Sequence, residues 1–368
     1  MNHFYFAGGG TGGHIYPAIA VAQELSRLEP SCKITFFCSE RSIDVRVLQP
    51  CGYRYVPLSV RGFTKNPVKL FSFVYSQLAA RSEVIRTIRS DGDDNPVLLS
   101  VGGFVSAPAL LAAHKLKIPA AMLNVDATPG KANKLMARFA RDIFVQFGQT
   151  AKSFGGNRSK VITTGCPLRS AFFNADAEIA IKALGLSPKK KILLVTGASG
   201  GAANINNVVG YLLDRLNGFA ADWQIVHLAG IVHFDAVRTL YRQAKINHKV
   251  LDYYDDMPNL LAAADIAIGR AGAMSIAEFA ASQTPAICLP YPYHADCHQR
   301  LNAQYLVEAG CGVIVDDLCD VERTSEILWP ALEELMNSDD KRRDMRENCG
   351  KIVNPAAAEQ IAQKLLSY

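Results

Sequence analysis

Five glycines and a threonine occupy Gly8 to Gly13, and His14 follows at once. Glycine lets a ligand approach the backbone closely, and the free N–H groups at a helix start attract anions, so this loop suits a phosphate or diphosphate. Imidazole titrates near neutrality, which makes His14 the first candidate for a general base. Gly8, Gly10 and Gly13 also satisfy the G-x-G-x-x-G spacing, and Glu40 ends the next strand-like run. On these residues alone an NAD site stays open, as does a plain strand-to-helix turn.

The second half carries further chemistry. In RAGAMSIAEFAA, Ser275 and Glu278 have the S-x-x-E spacing of a capping box, which by itself accounts for both. The functional alternative has the N–H groups of Gly272, Ala273, Met274 and Ser275 facing a diphosphate and Glu278 accepting from ribose hydroxyls, with Arg270 adding a cation. Ser199, in GASGGAAN, is either a turn serine or a phosphate contact. His294, Asp296 and His298 are ligand types without ligand spacing, so no metal is expected. Gln299 and Asn302 open the following helix and both suit a sugar. Asp256, ahead of Met257 and Pro258, reads as a helix start.

These residues need a scaffold. Strand-like runs (HFYF, KITFFC, PVLLSV, AAML, DIFVQ, then KILLVT, WQIVHL, KVLDY, DIAIG, PAICLP, GVIV) alternate with helical stretches. Continuous apolar runs separated by helices indicate parallel sheets covered on both faces. The pattern restarts near residue 190, so the chain reads as two doubly wound α/β domains whose ligands bind outside the carboxyl ends of strands. Pro17 is expected in the first turn of the first helix. At 368 residues, 49% apolar, the chain can fill two cores. A net charge of +5 without interleaved basic and aromatic residues points away from nucleic acid. Nine scattered cysteines form no disulfide framework, and with no leader or membrane-length apolar run the chain reads as cytoplasmic.

Taken together, GGGTGGHIYPAIAVA, VGGFVSAPALLAA, TGCPLR, GASGGAANIN, YYDDMPNLLAAADIAIGRAGAMSIAEFAA and DCHQRLNA resemble glycosyltransferase family 28 in order and spacing over nearly the whole chain. The resemblance implies a GT-B fold: two Rossmann-like domains across a cleft, working without metal or other cofactor. Residues 1–168 would hold a lipid acceptor and 169–355 the UDP-sugar, with 356–368 returning to the first domain. It implies inverting transfer of N-acetylglucosamine from UDP-N-acetylglucosamine to an undecaprenyl-diphosphate-linked muramyl-peptide at an anionic membrane surface, on the inner face of the cell membrane. By motif, Thr11, Gly12 and Gly13 would face the diphosphate and sugar, and His14 the reacting centre. Arg169 and Ser199 would contact donor phosphates, Tyr254 uracil through its backbone, Ala273, Met274 and Ser275 the diphosphate, Glu278 ribose, and Gln299 the sugar. The chain departs from the family where Leu123, Asn124, Val125 and Asp126 replace H-E-Q-N, and where Gly200 replaces Gln. Asp126 therefore stands where an asparagine would contact the donor sugar, and it is a rival to His14 as base.

Phe63, Leu70, Phe71, Phe73, Val74 and Tyr75 accompany Lys65, Lys69, Arg81, Arg86 and Arg89. A core-packed helix with a basic solvated face and a membrane-surface helix both fit. The competing functions are a relative with another acceptor, an NAD(P) oxidoreductase, and a non-catalytic UDP-sugar-binding protein.

Overall fold

The computed structural model describes residues 1–10, 12–62, 66–197, 200–293 and 297–368; for residues 67–69 it describes the backbone alone. Thr11, Lys65, Phe63, Ser199, His294 and Asp296 lie outside the described residues, as does the side chain of Lys69. The chain divides into two compact units, Met1–Arg169 with Asn354–Tyr368, and Ser170–Val353.

The first unit contains β1 (Asn2–Gly8), β2 (Lys33–Ser39), β3 (Arg54–Leu58), β4 (Asn95–Gly102), β5 (Ala120–Asn124), β6 (Ile143–Val145) and β7 (Val161–Thr163). They form one sheet in the order β3-β2-β1-β4-β5-β6-β7. Every pair is parallel. The second unit contains β8 (Lys191–Thr196), β9 (Trp223–Leu228), β10 (Asn247–Leu251), β11 (Ile266–Gly269), β12 (Ala286–Cys288) and β13 (Gly312–Ile314). Its order, β10-β9-β8-β11-β12-β13, is again all parallel. Both are doubly wound orders in which the chain reverses direction beside the first strand, and the switch point opens a crevice at the carboxyl edge.

The central strands are buried on both faces, which is why they read as unbroken apolar runs. Tyr5, Phe37, Leu98 and Met122 anchor the first core; Leu193, Trp223, Ile225 and Ile268 anchor the second. The final helix, Ala357–Leu366, buries Ala357, Ala358, Ile361, Ala362 and Leu365 on one face. It packs against helix Gly12–Leu28 in the first unit. Arg27 pairs with Glu359 at 3.2 Å, and the Asn354 amide donates to the Thr164 carbonyl at 2.8 Å.

Two strands escape the apolar-run reading, and a third, β10 (NHKVL), is exposed along its first three residues at the edge of the second sheet. β3 and β7 are the outer strands of the first sheet and are half-exposed. An edge strand packs on one side only and tolerates a proline such as Pro57. Pro17 also differs from expectation. Helix Gly12–Leu28 begins five residues earlier, so Pro17 lies inside it and leaves the Gly13 carbonyl without its usual N–H.

Candidate active site

The first glycine loop leaves β1 and enters helix Gly12–Leu28. Gly10 has φ +90, a left-handed value that glycine accepts without cost. A second loop leaves the adjacent β4 through Gly102 (φ +109) and Gly103 (φ +80). The two touch: a Cβ on Gly103 would lie 2.4 Å from the Gly9 carbonyl oxygen, and one on Gly102 would lie 2.6 Å from the His14 ring. Ser106 stitches the strand ends together, accepting from the Gly102 N–H at 2.8 Å and donating to the Ala7 carbonyl at 3.2 Å.

His14 is half-buried on this seam, hydrogen-bonded to the Gly9 backbone. Burial lowers its pKa below the ordinary 6.5, and the negative charges of Asp126 and Asp44 oppose that shift. The imidazole is therefore neutral, and able to take a proton, at neutral pH. A cavity of about 490 Å³ opens beside it, lined by Gly9, Gly10, Glu40, Arg41, Gly103 and Phe104, among others. Asp126 follows β5, and its carbonyl accepts from the Asn124 amide at 2.7 Å; Asn133 in turn donates to Asn124 at 3.1 Å. Gly12 is buried, and the Arg169 guanidinium stacks over the Tyr16 ring at 4.7 Å, one turn from the glycine loop.

The second unit holds a cavity of about 640 Å³ at the carboxyl edge of its sheet. Gly197, Gly201, Arg270, Gly272, Ser275, Tyr291, Gln299 and Asp317 contribute to its walls. Helix Ala273–Ala281 starts here. Its N-cap is Gly272, which makes no side-chain cap bond, and Ser275 is already the third helical residue. The S-x-x-E pair is therefore not a capping box, since Ser275 lies past the cap position. Ala273 and Met274 are buried in the first turn, and Glu278 is half-buried one turn further on. The Gln299 side-chain oxygen accepts from the Tyr291 N–H at 2.8 Å. Asn302 is fully buried with its amide on the Ala271 carbonyl at 3.2 Å, so it supports the backbone instead of reaching for a ligand. Tyr254 lies just beyond β10, half-buried, its pKa raised first by burial and then by Asp256. Asp256 caps helix Met257–Ala263 by accepting from the Asn259 N–H.

Arg270 is spoken for. It donates to Asp317 at 2.7 Å and to the carbonyls of Leu289 and Pro290. Asp317, 7% exposed, also accepts from Asn204 and from the Cys319 N–H. Sequence reasoning passed over Asp317 and Asp44. Asp44 carried a signal: with Val47 and Leu48 it shares the buried face of helix Ser42–Leu48, and a carboxylate on an apolar stripe demands partners. Among the described residues no three His, Cys, Asp or Glu side chains gather as a metal site.

Helix Pro67–Asp91 bears on the same unit. It buries Ser76, Ala80, Val84, Thr87 and Ile88, yet exposes Phe71 (78%), Val74, Tyr75 (68%) and Leu78 on the opposite stripe. The Arg61 N–H donates to Ser76 at 3.1 Å, and the next residue, Gly62, lines the His14 cavity.

Comparison with known proteins places this geometry. The glycosyltransferase family 28 N-terminal domain matches residues 4–145, and the family 28 C-terminal domain matches residues 192–365. The UDP-N-acetylglucosamine--N-acetylmuramyl-(pentapeptide) pyrophosphoryl-undecaprenol N-acetylglucosamine transferase of Carboxydothermus hydrogenoformans is 33% identical over 359 residues, 97% of this chain and 95% of its own. The protein of the same name from Caldicellulosiruptor saccharolyticus is 34% identical, covering 99% of this chain and 97% of its own. The crystal structure of Acinetobacter baumannii MurG superposes with a TM-score of 0.73 at 23% identity, covering 100% of both chains, a likeness of fold.

Proposed function

The chain belongs to glycosyltransferase family 28, and we propose that it moves N-acetylglucosamine from UDP-N-acetylglucosamine to the 4-hydroxyl of undecaprenyl-diphosphate-linked N-acetylmuramyl-pentapeptide. It is a glycosyltransferase built of two Rossmann-type units, the make-up of the GT-B fold. The acceptor and donor assignments follow the names of relatives similar over almost the full chain. One observation supports a donor pocket most directly. The N-terminus of helix Ala273–Ala281 has no side-chain cap and lies at a cavity whose walls include Ser275 and Gln299.

In this reading His14, neutral at working pH, takes the proton of the acceptor hydroxyl as its oxygen attacks the anomeric carbon. The bond from that carbon to the diphosphate breaks, and UDP leaves with the electron pair, inverting the centre. An alcohol is a weak nucleophile at neutral pH, so a base of this type supports the step. Backbone N–H groups of Gly272, Ala273, Met274 and Ser275 stabilise charge growing on the diphosphate, as preorganised dipoles do in sites without metal. Glu278 binds ribose, Tyr254 presents its backbone to uracil and Gln299 binds the sugar. Thr11, Gly12 and Gly13 face the diphosphate and sugar, and Arg169 and Ser199 contact donor phosphates. The exposed stripe Phe71, Val74, Tyr75 and Leu78 docks on anionic membrane on the inner face, where the lipid acceptor resides.

The test is UDP release from UDP-N-acetylglucosamine with and without an undecaprenyl-diphosphate-linked muramyl-peptide analogue. Acceptor-dependent release is expected, and equal release in both arms overturns the reading. A second reading, the same transfer to a different lipid or natural-product acceptor, draws on Asp126, which places a carboxylate beside His14 where the family has an amide. It predicts no release with the muramyl-peptide analogue but release with another lipid.

A further inference from the structure

Asp44 is fully buried in the seam beneath the first glycine loop. Its carboxylate accepts from the Gly10 N–H at 2.9 Å, the Ser39 N–H at 2.8 Å and the Ser39 hydroxyl at 2.6 Å. Three residues earlier, Arg41 donates from Nη1 to the Gly10 carbonyl at 2.8 Å. Gly10 is thus held through its N–H and its carbonyl by one short segment that follows β2. The fit leaves no slack, because a Cβ on Gly9 would lie 2.2 Å from an Asp44 oxygen. The Gly10 N–H is also withdrawn from any anion the loop binds. A carboxylate here is costly to bury unless fully paired, and its partners are backbone and side chain of the two segments it joins.

We propose that Asp44 is a positioning residue for the transfer step: with Arg41 it clamps Gly10 and so sets where the loop delivers His14, which sits four residues on. The proposal rests on the reading of His14 as the base. His14 is confined on its other side by Gly102, where a Cβ would lie 2.6 Å from the ring, while Gly103 packs against Gly9 of the clamped loop. The charged groups around the imidazole are Asp44 from helix Ser42–Leu48, Asp126 from the loop after β5, and Glu40 and Arg41 on the shared cavity wall. The two carboxylates Asp44 and Asp126 favour the imidazolium, so losing one displaces the titration of the base to lower pH.

The experiment is steady-state transfer by the Asp44→Asn protein against parent, with a pH profile of kcat and calorimetric titration of UDP. Asparagine keeps the shape, and the Ser39 hydroxyl can turn to accept from its amide. We expect kcat to fall by ~10–100-fold, as a misplaced base does, with the donor KM and UDP affinity near parental. The acidic limb of the kcat profile is expected to move to lower pH. A folded Asp44→Asn protein with parental kcat and an unmoved acidic limb overturns the proposal. So does a loss confined to donor KM. If Asp44→Asn does not fold, Arg41→Ala decides, since Arg41 is exposed and its loss frees only the Gly10 carbonyl. It is expected to lower kcat several-fold at parental UDP affinity, and parental kcat overturns the clamp. A parent that shows no acceptor-dependent UDP release refutes the proposed function instead, before either variant is compared.

Discussion

His14 is the residue on which the chemistry turns, and its environment makes a prediction with a definite sign. Burial lowers its pKa below 6.5, so a base mechanism gives a kcat that rises with pH only on an acidic limb below that value and is flat through neutrality. His14→Ala should lower kcat by ~10²–10⁴-fold, the usual worth of a general base, and remove that limb. Asp126→Ala is its companion. If Asp126 positions the sugar, donor KM should rise more than kcat falls, and the reverse pattern would make the carboxylate the base. Glu278 is testable without an acceptor. With the capping box gone, its half-buried position one turn into helix Ala273–Ala281 suits a ribose contact. Glu278→Ala should weaken UDP binding by ~1–3 kcal/mol in a calorimetric titration. Unchanged affinity would leave the residue a packing role only.

At the scale of elements, helix Pro67–Asp91 is amphipathic twice over. Ser76, Ala80, Val84 and Ile88 face the core at helical spacing, while Phe71, Val74, Tyr75 and Leu78 repeat that spacing on the solvent side. An exposed contiguous stripe of this kind marks a surface for association. Replacing Phe71, Tyr75 and Leu78 with serine should reduce sedimentation with anionic vesicles, while turnover of a water-soluble short-chain acceptor stays near parental. Vesicle binding equal to parent would assign the stripe another role. The same helix shows why its function was open in the sequence: both faces are apolar, and periodicity alone does not say which one the sheet covers.

For the whole molecule, the two units carry different buried titratable groups. His227, in the second core, bonds to the Tyr241 hydroxyl at 2.9 Å and to Asn206 at 3.0 Å, and burial lowers its pKa to about 3. The unfolded chain therefore binds a proton between about pH 6.5 and about 3 that the folded unit refuses. Stability is complete above that window and falls as pH drops through it. Acid titration followed by tryptophan fluorescence should report this in the second unit, since Trp223 lies in its core. His227→Gln should flatten the acid dependence while costing stability at neutral pH. Activity is expected to persist in EDTA, because the proposed diphosphate site relies on backbone N–H groups. Activity lost to chelator and restored by magnesium or manganese would overturn that mechanism.

What the sequence determined by itself was whatever depends on neighbours along the chain. Among the described residues eleven of the thirteen strands were legible, the central ones because two-sided burial writes a continuous apolar run. The glycine loops were legible as turns at strand ends because they end such runs, and Asp256 as a cap because capping is local. The resemblance to family 28 rested on the order of those same motifs. Tertiary structure alone decided matters that join distant segments. β3 and β7 became strands by pairing at an edge, without an apolar run of their own. Ser275 lost its capping role because the fold starts that helix at Ala273. Gly102 was recognised as a wall for His14, and Asp44 as the partner of Gly10 some 34 residues earlier, only once β1, β2 and β4 lay side by side. Hydrogen bonds and steric contacts act over a few ångströms of space, and no one-dimensional pattern records which residues the fold brings within that range.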